Sequence, residues 1–359
     1  MSPRPYQVQA IDWLQSRRRA IVVSPAGSGK TIISAAALNA VLLRKPRASK
    51  VRIGWLANTR EQIDQAKSAI QKFPLVGAQD VKLACAAAQT DWSDRDVLVC
   101  DEVHHMIAPS WASQIATCQG ARWGFTATPG TTAEWLALER ELFGERFTIA
   151  RKEVQSNLSK AVVRWSSATD PDLRQPIDQK INSDLKWRRR FWKGSEDQLW
   201  GQVAWQACVS LGIVDNQARN NAAIAAATND KPTLVLVNQV EHGRILSDAI
   251  PGAVPCHSGM GEKKRASTIE AFRAGQIRCL VATKMLEEGF DAPNAEVMVM
   301  VCGGKSARAV EQSTGRVLRA FAGKTHGVIH DFRDLYHPLP AKHAREREAL
   351  YLRLGYTIA

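Results

Sequence analysis

The sequence predicts an α/β protein made of two tandem units, each built on a parallel sheet. Short, fully apolar runs of strand length alternate with helical patterns in both halves of the chain, which is typical of strands covered on both faces by helices. The length of 359 residues fits two domains of about 150 residues each. All eleven tryptophans lie between Trp13 and Trp205, which indicates a boundary near 150–230. We predict domains at 1–150 and 151–359.

The first half alternates strands and helices in regular order. The predicted elements are a strand at Ala20–Val23, a helix at Thr31–Leu43, a strand at Val51–Leu56, a helix at Glu61–Phe73 and a strand at Val97–Cys100. A glycine-rich turn separates the first strand from the first helix, and two acids follow the last strand. The alternation predicts a parallel sheet with helices on both faces.

The second half repeats this pattern without a detectable sequence repeat. The predicted elements are a strand at Thr233–Val237, helices at Val240–Ile250 and Lys263–Ala274, strands at Leu280–Thr283 and Val297–Val301, and a helix at Val310–Ala320. A charged helix at Ala341–Leu354 is expected to cap this unit with a solvated face. Two α/β units in tandem are therefore predicted.

The segment Ser166–Gln206 fits neither pattern and predicts a small helical insert at about 166–210. Its run Lys186–Lys193 interleaves five basic residues with three aromatic ones. One interpretation is that these side chains stack on bases and neutralise phosphates, with Trp187, Arg189 and Trp192 contributing most. The other is an amphipathic helix whose aromatic rings pack on a domain while the arginines extend to solvent.

Charge and cysteine usage narrow the classes of partner and compartment. With 48 Lys and Arg against 35 Asp and Glu, the net charge is +13, which favours nucleic acid first and an acidic membrane surface second. The sequence contains no run of 18 apolar residues and no secretion signal, so no membrane span is expected. Seven scattered cysteines without a C-x-x-C pair predict reduced thiols in the cytoplasm and no structural zinc.

A phosphate-binding loop is predicted at Ser24–Thr31, between the first strand and the first helix. Its glycines let backbone N–H groups converge on phosphates at a helix N-terminus. Lys30 is expected to reach the β- and γ-phosphates, and the Thr31 hydroxyl to ligate Mg²⁺. The common pattern has glycine where this chain has Ser24. The predicted phosphate-binding residues are Ala26, Gly27, Ser28, Gly29, Lys30 and Thr31.

Two acids and a histidine follow the strand Val97–Cys100. Asp101 is expected to hold the magnesium ion, and Glu102 to orient and deprotonate the attacking water. His104 is expected to connect the nucleotide with a neighbouring segment. Alone, two acids at a strand end are common on protein surfaces, but here they follow a phosphate loop in the same half of the chain.

These segments, with others, resemble the superfamily 2 helicases. In the first half the resemblance covers Arg4–Gln7 (the opening segment), Ser24–Thr31 (motif I), Trp55–Gln62 (motif Ia), Asp101–His104 (motif II) and Thr126–Pro129 (motif III). In the second half it covers Leu234–Gln239 (motif IV), His257–Gly259, Ala282–Pro293 (motif V) and Gln312–Arg319 (motif VI). Within the superfamily, Asp101–His105 and Glu287–Pro293 look like the branch of type III restriction motor subunits and bacterial DNA-repair helicases.

The resemblance implies two RecA-like domains with a nucleotide cleft between them, and it implies roles for further residues. Expected to bind nucleotide are Arg4, Tyr6, Gln7, Gly289 and Asp291. Expected to act in hydrolysis from the second domain are Gln312, Arg316 and Arg319, the two arginines stabilising charge on the transferring phosphoryl group. Expected at the nucleic acid are Arg60, Thr126, Thr128 and Thr283.

The resulting hypothesis is an ATP-dependent helicase or translocase that uses Mg²⁺ and acts on DNA, mainly through phosphate contacts. Two alternatives remain open at this point: an ATP-switched nucleic-acid clamp or annealing factor that does not unwind, and an RNA helicase. We expect a monomer without membrane contact, whose specificity comes from protein partners. A phage gene expressed in a bacterial cytoplasm fits the small size of such a motor.

Overall fold

The chain is described by a computed structural model that covers residues 3–25, 27–44, 51–75, 78–150, 153–154, 160–168, 170–257, 259–283, 292–318, 321 and 323–359. The chain divides into two compact units, one formed mainly by residues 1–158 and the other mainly by residues 159–359. Each unit has its own sheet and its own hydrophobic core.

The first unit alternates helices and strands from its first turn onward. Its elements are α1 Pro5–Gln15, β1 Arg19–Val23, α2 Lys30–Arg44, β2 Val51–Ala57, α3 Arg60–Lys72, β3 Ala78–Cys85, β4 Val97–Asp101, α4 Pro109–Thr117, β5 Ala121–Thr126, α5 Ala133–Leu142 and β6 Glu145–Thr148. Short 3₁₀ turns lie at Ala86–Ala88 and Val103–Ile107. Wherever the structure describes them, neighbouring strands run parallel in the order β3-β2-β4-β5-β1-β6.

This strand order positions the site. Strands β4, β5 and β1 are consecutive in the sheet, and the carboxyl ends of parallel strands meet at one edge, where ligands of open α/β sheets bind. The phosphate loop follows β1, the acids follow β4, and the Thr126–Pro129 segment follows β5. The three segments are therefore brought together although they are far apart in the sequence.

The second unit begins with a strand and a helical hairpin. Its elements are β7 Lys160–Ala168, α6 Arg174–Arg188, α7 Glu196–Ala207, α8 Gln217–Ala227, β8 Thr233–Val237, α9 Val240–Ala249, β9 Ala253–Cys256, α10 Glu262–Arg273, β10 Cys279–Thr283, β11 Val297–Met300, α11 Ala307–Val317, β12 His326–Asp334, α12 Pro338–Arg353 and β13 Thr357–Ile358. A 3₁₀ turn lies at Pro171–Leu173, and a π-helical stretch, Cys208–Val214, continues α7. In the described residues the strands pair in parallel in the order β13-β7-β12-β11-β8-β10-β9.

The two parallel-sheet units confirm the predicted fold class. Each predicted helix and strand coincides with an observed one to within a few residues, because apolar strands such as β4 and β8 are fully buried. The segment that fitted neither pattern begins in the last residues of β7 and contains the hairpin of α6 and α7. The apolar face of α6 is Ile177, Ile181 and Leu185, which packs on α7.

The interpretation that the aromatic rings of Lys186–Lys193 pack on a domain is wrong for Trp187 and Phe191. Trp187 is 63% exposed and Phe191 is 72% exposed, so neither ring packs on the body of the unit. The aliphatic face of α6, rather than these rings, packs on α7. The aromatic rings are left at the tip of the hairpin, where α6 ends.

The expectation of a solvated charged face on the last helix is wrong at Arg347. This side chain of α12 is 1% exposed and forms an ion pair with Asp331 of β12 at 2.8 Å. Several other charged residues of α12 are exposed, as expected. The helix therefore covers the sheet with one buried charge in its packed face, which amphipathic patterning alone does not reveal.

Candidate nucleotide site

The phosphate loop is closed by hydrogen bonds within itself and to β5. The Ser24 amide donates to the Thr126 carbonyl at 2.9 Å, and the Ser24 hydroxyl donates to the hydroxyl of Ser28. Gly27 and Gly29 have φ values of 80° and 81°, a left-handed region that glycine adopts without steric cost. Serine at the position where the pattern has glycine therefore contributes a bond that closes the loop.

The opening segment is fastened to this loop. The Gln7 side-chain amide donates to the Ser28 carbonyl at 2.8 Å, and the Tyr6 hydroxyl donates to the same carbonyl at 3.2 Å. Gln7 also accepts a bond from the Arg4 amide at 2.8 Å. A Cβ on Gly29 would lie 2.6 Å from Nε2 of Gln7, so a glycine is needed for this approach. The predicted nucleotide-binding residues of the opening segment thus lie beside the phosphate loop.

The two acids adopt different backbone conformations at the end of β4. Asp101 is the last strand residue, whereas Glu102 has a φ of 53°, which is unusual for a residue with a side chain and costs of order 1–3 kcal/mol. Oε1 of Glu102 lies 3.6 Å from Nζ of Lys30, and Oε2 lies 3.3 Å from Nδ1 of His104. The Glu102 carboxylate therefore lies between Lys30 and His104 on a backbone with an unfavourable conformation.

The surroundings of these acids drive their pKa values in opposite directions. Burial, and then the charge of Glu102, raise the pKa of Asp101 to about 7. Burial also acts to raise the pKa of Glu102, but Lys30 and His104 outweigh it and lower that pKa to about 2. Glu102 is therefore the ionised carboxylate of the pair. A bound cation favours the ionised form of a neighbouring carboxylate. A metal ion beside Asp101 would therefore ionise this side chain.

His104 connects the acids to the segment after β5. Its Nδ1 lies 3.2 Å from the Thr126 hydroxyl oxygen, which also accepts a bond from the Thr128 amide at 3.2 Å. Thr126 is fully buried, so its side chain has no exposed atom for the direct nucleic-acid contact expected of it. Among the described residues, the buried Thr128 hydroxyl has no hydrogen-bond partner. The geometry is that of a link between Glu102 and this segment.

The donor set fits a magnesium ion. Thr31 lies in the first turn of α2, and the buried carboxylate of Asp101 has one hydrogen bond among the described groups, from the Glu102 amide at 3.0 Å. Hydroxyl and carboxylate oxygens are ligands that Mg²⁺ prefers, and it is usually held by one or two carboxylates plus substrate phosphates. Thr31 and Asp101 would hold the ion, which when bound neutralises charge on the phosphates.

Arg60 begins α3, directly after β2. The Thr59 hydroxyl accepts a bond from the Gln62 amide at 3.3 Å, and the Gln62 side chain accepts from the Thr59 amide at 3.1 Å. This capping box fixes where the helix starts. Arg60 is consequently held at a defined point of the surface with its side chain exposed.

Part of the predicted second-domain machinery lies on described backbone. Helix α11 carries Gln312 and Arg316, although their side chains are outside the described residues. Thr283 ends β10, is 8% exposed, and has a hydroxyl without a partner among the described residues. Outside the described residues altogether lie Ala26, Gly289, Asp291 and Arg319.

The hairpin tip combines exposed rings with exposed charge. The rings of Trp187 and Phe191 are 5.6 Å apart, and Trp192 is 38% exposed. Nε of Arg189 pairs with Glu196 at 3.0 Å, a contact in which both side chains are mostly exposed. Exposed pairs of this kind contribute about 0–1 kcal/mol, so the side chain of Arg189 exchanges partners at little cost.

Two family matches fall in the chain, one within each half. Residues 1–84 match the family described as type III restriction enzyme, res subunit, and residues 217–321 match the helicase conserved C-terminal domain. These are the halves in which the sequence carries motifs I and Ia and motifs IV to VI. The chain is similar to the superfamily 2 helicases in both halves. The first match agrees with the predicted restriction-motor and DNA-repair branch.

Curated helicases of this superfamily align with most of the chain. The protein named DNA 3'-5' helicase XPB of Kineococcus radiotolerans is 24% identical over 348 residues, covering 88% of this chain and 57% of that protein. The DNA 3'-5' translocase XPB2 of Sulfurisphaera tokodaii is 22% identical over 360 residues, covering 88% of this chain and 78% of that protein. The chain spans 52% to 63% of the length of the first four curated relatives it matches.

The fold of this chain is shared with solved structures. The Saccharomyces cerevisiae protein Dbp5 bound to RNA and ADP BeF3 aligns with a TM-score of 0.64 at 15% identity, covering all of this chain and 90% of that one. At such low identity the likeness concerns the fold. It supports the assignment of two RecA-like domains.

Proposed function

We propose that this chain is a DNA helicase or translocase that hydrolyses ATP with Mg²⁺ and moves 3' to 5'. The observation that carries the proposal is the contact between Lys30 of the phosphate loop and Glu102 after β4, 3.6 Å apart. It joins a triphosphate-binding cation to a catalytic base in one site. The polarity and the DNA substrate are those in the names of the XPB relatives.

The roles proposed in hydrolysis follow the geometry of the first unit. Lys30 binds the β- and γ-phosphates, and Thr31 and Asp101 hold the magnesium ion. Glu102, ionised beside Lys30, accepts the proton of the attacking water. His104 transmits the state of that site to Thr126, with which it is in contact. Gln312, Arg316 and Arg319 of the second domain act on the γ-phosphoryl group.

The proposed nucleic-acid contacts are mainly to phosphates. Exposed Arg60 grips the backbone, and the hairpin tip adds stacking and charge. The hydroxyls of Thr128 and Thr283 are buried, so, like that of Thr126, they are not proposed as direct contacts. A net charge of +13 predicts strong dependence of affinity on salt and weak sequence preference. We propose domains at 1–150 and 151–359 and a monomer that gains specificity from protein partners.

The proposed location is the cytoplasm of a cell that keeps thiols reduced. The cysteines within the described ranges are all free. In the part of the chain that is described, no helix combines the length and apolar character that a membrane crossing needs. A viral origin remains part of the proposal, supported by a relative from a Sulfolobus islandicus filamentous virus.

An ATPase assay with single-stranded DNA, duplex DNA and RNA tests the motor assignment. We expect DNA to stimulate hydrolysis more than RNA does. Hydrolysis that no nucleic acid accelerates would refute the proposal. Forked duplexes with 3' or 5' tails then separate a helicase from a clamp, because a clamp binds them in an ATP-dependent manner without displacing a strand.

We predict that Lys30→Ala lowers ATP hydrolysis by at least about 100-fold, since preorganised charge at the transferring group is worth that much. Glu102 keeps its contact with His104, so the variant should fold, with a lower melting temperature because the mostly buried carboxylate loses its cation. Lys67→Ala is the matched control, because Lys67 pairs with Asp64 on an exposed part of the same unit. Equal rates for both variants would place the phosphate site elsewhere.

A further inference from the structure

A tight, buried turn links β11 to α11, the helix that carries Gln312 and Arg316. Residues Val301–Gly304 form this turn, in which Gly303 and Gly304 have φ values of 59° and 91°. A Cβ on Gly303 would lie 3.1 Å from Cδ1 of Ile213 in the π-helical stretch. Two consecutive positive φ values and this close contact require glycine. The turn thus depends on glycine three residues before α11 begins.

Three side chains from three different elements hold the carbonyl groups of this turn. One comes from α8, one from the residue that follows β8 and one from α12, and none belongs to the turn or to α11. The bonds run from Arg219 Nη1 to the Val301 carbonyl at 2.9 Å, from Asn238 Nδ2 to the Cys302 carbonyl, and from Arg347 Nη1 to the Gly304 carbonyl at 2.6 Å.

The two arginines use the same arrangement. Nε and Nη2 of Arg219 donate to the two carboxylate oxygens of Asp334 at 2.6 and 3.3 Å. Nε and Nη2 of Arg347 donate to those of Asp331 at 2.8 and 2.9 Å. Both guanidinium groups are almost fully buried, and each has Nη1 left for the turn. Only a planar guanidinium offers a carboxylate fork and a third, fixed donor; lysine does not.

Stability alone does not explain two buried ion pairs in one small region. Taking charges out of water costs several kcal/mol per ion, and a well-packed apolar replacement is often as stable or more stable. What an apolar replacement lacks is a donor for a carbonyl group of the turn. The pairs around Asp331 and Asp334 are thus suited to fixing the position of the turn.

We propose that Arg219, Asn238 and Arg347 are positioning residues for ATP hydrolysis, which they serve by fixing the turn that starts α11. The inference rests on the proposed function, because it needs Gln312 and Arg316 to act on the γ-phosphoryl group. An arginine that stabilises this group is worth about 10³–10⁵ in rate. A displacement of about 1 Å in such a group costs on the order of 10²-fold.

Asn238→Ala tests the proposal, because it removes one bond to the turn and leaves both ion pairs in place. Asn229→Ala is the control, just before the other end of β8: the Asn229 side chain donates to the Ala226 carbonyl at 3.0 Å, accepts from the Lys231 amide at 2.8 Å and contacts the Thr233 hydroxyl. The measurements are the rate of DNA-stimulated hydrolysis, the affinity for ATP, the affinity for ADP with aluminium fluoride, and the melting temperature.

Asn238→Ala is expected to lower kcat by about tenfold or more while ATP affinity stays unchanged. Affinity for ADP with aluminium fluoride should fall by the same factor, because only the transition state uses the arginines fully. Asn229→Ala should lose at least as much stability, because it removes more hydrogen bonds, and should keep kcat. Arg347→Lys, which retains a charge beside Asp331 but loses the fork, should show the same division between kcat and ATP affinity.

Two results overturn the inference. If Asn238→Ala and Asn229→Ala have equal kcat in an active wild-type background, the bond to Cys302 is structural only and the proposed motor function is unaffected. If kcat, ATP affinity and melting temperature fall together in Asn238→Ala, the side chain supports the fold rather than the reaction. A wild-type protein without ATPase activity removes the proposed function and this inference with it.

Discussion

At the scale of single residues, Gly29 shows how closely the opening segment and the phosphate loop are fitted. Its φ of 81° and the 2.6 Å approach of Gln7 to the position of a Cβ impose two separate requirements. The first concerns the backbone, since left-handed conformations cost about 1–2 kcal/mol for residues with a side chain. The second concerns Gln7, whose bond to Ser28 a methyl group would displace.

We predict that Gly29→Ala lowers the free energy of unfolding by about 1–2 kcal/mol and weakens ATP binding by about tenfold, roughly the free energy of the bond lost by Gln7. Gly144→Ala separates the two requirements. Gly144 also has a positive φ, of 74°, but the nearest atom to its Cβ would be 3.7 Å away. That variant should lose similar stability and bind ATP normally. Normal ATP binding by Gly29→Ala would contradict the fit described here.

At the scale of elements, the hairpin of α6 and α7 combines a packed base with an exposed tip. Its base is apolar and packs internally, whereas Trp187 and Phe191 extend into solvent beside Arg189. Exposed aromatic rings near basic side chains match the surfaces that bind single strands by stacking and charge. The nucleic-acid interpretation of this run is thereby favoured over the packing interpretation.

We predict that Arg189→Ala lowers DNA affinity and reduces the slope of log affinity against log salt by about 1. Arg174→Ala is the control, because Arg174 is also exposed and pairs with Asp178 at 3.8 Å at the opposite end of α6. Trp192→Ala should lower affinity with little change in the salt slope, since stacking releases few counterions. If Arg189→Ala and Trp192→Ala both leave DNA affinity unchanged, the residues Lys186–Lys193 do not bind DNA.

The strands that the sequence predicts are those whose own residues are apolar. A strand that it does not predict, β7, has partner strands that lie far away in the sequence. Strands β1, β4, β8 and β10 are short apolar runs, which the sequence displays directly. Strand β7 mixes charged, polar and apolar residues and lies between β12 and β13, which follow more than 150 residues later in the chain. Strand β7 forms only when β12 and β13 pair with it, so it depends on the tertiary structure.

At the scale of the whole molecule, the second unit carries several histidines held neutral by burial. Burial, and then the charge of Arg219, lower the pKa of His242 to about 4. Burial also lowers the pKa values of His330, His337 and His343. An unfolded histidine has a pKa near 6.5, so the unfolded chain binds more protons than the folded one at mildly acidic pH.

We predict that the contribution of these histidines to the free energy of unfolding falls as pH decreases from about 6.5 to 4, because at these side chains protons then favour the unfolded chain. Asp101, whose pKa is raised to about 7, acts in the opposite direction, so the histidine contribution is measured as the difference between the wild type and a His242 variant. Complete protonation of His242 alone corresponds to about 3 kcal/mol, at 1.36 kcal/mol per pKa unit. Urea unfolding at pH 7, 6 and 5 measures this dependence. His242→Gln should unfold with a shallower pH dependence than the wild type, and an equally steep one would contradict the assignment.

The sequence by itself determined the chemistry of the first unit. The phosphate loop and the acids follow buried strands, and consecutive parallel strands bring their carboxyl ends to one edge, so Lys30 and Glu102 meet with little help from distant residues. Only the tertiary structure decided the role of Arg219 and Arg347. Both read as ordinary helix charges in the sequence, and they become buried donors because β12 places an aspartate opposite each of them.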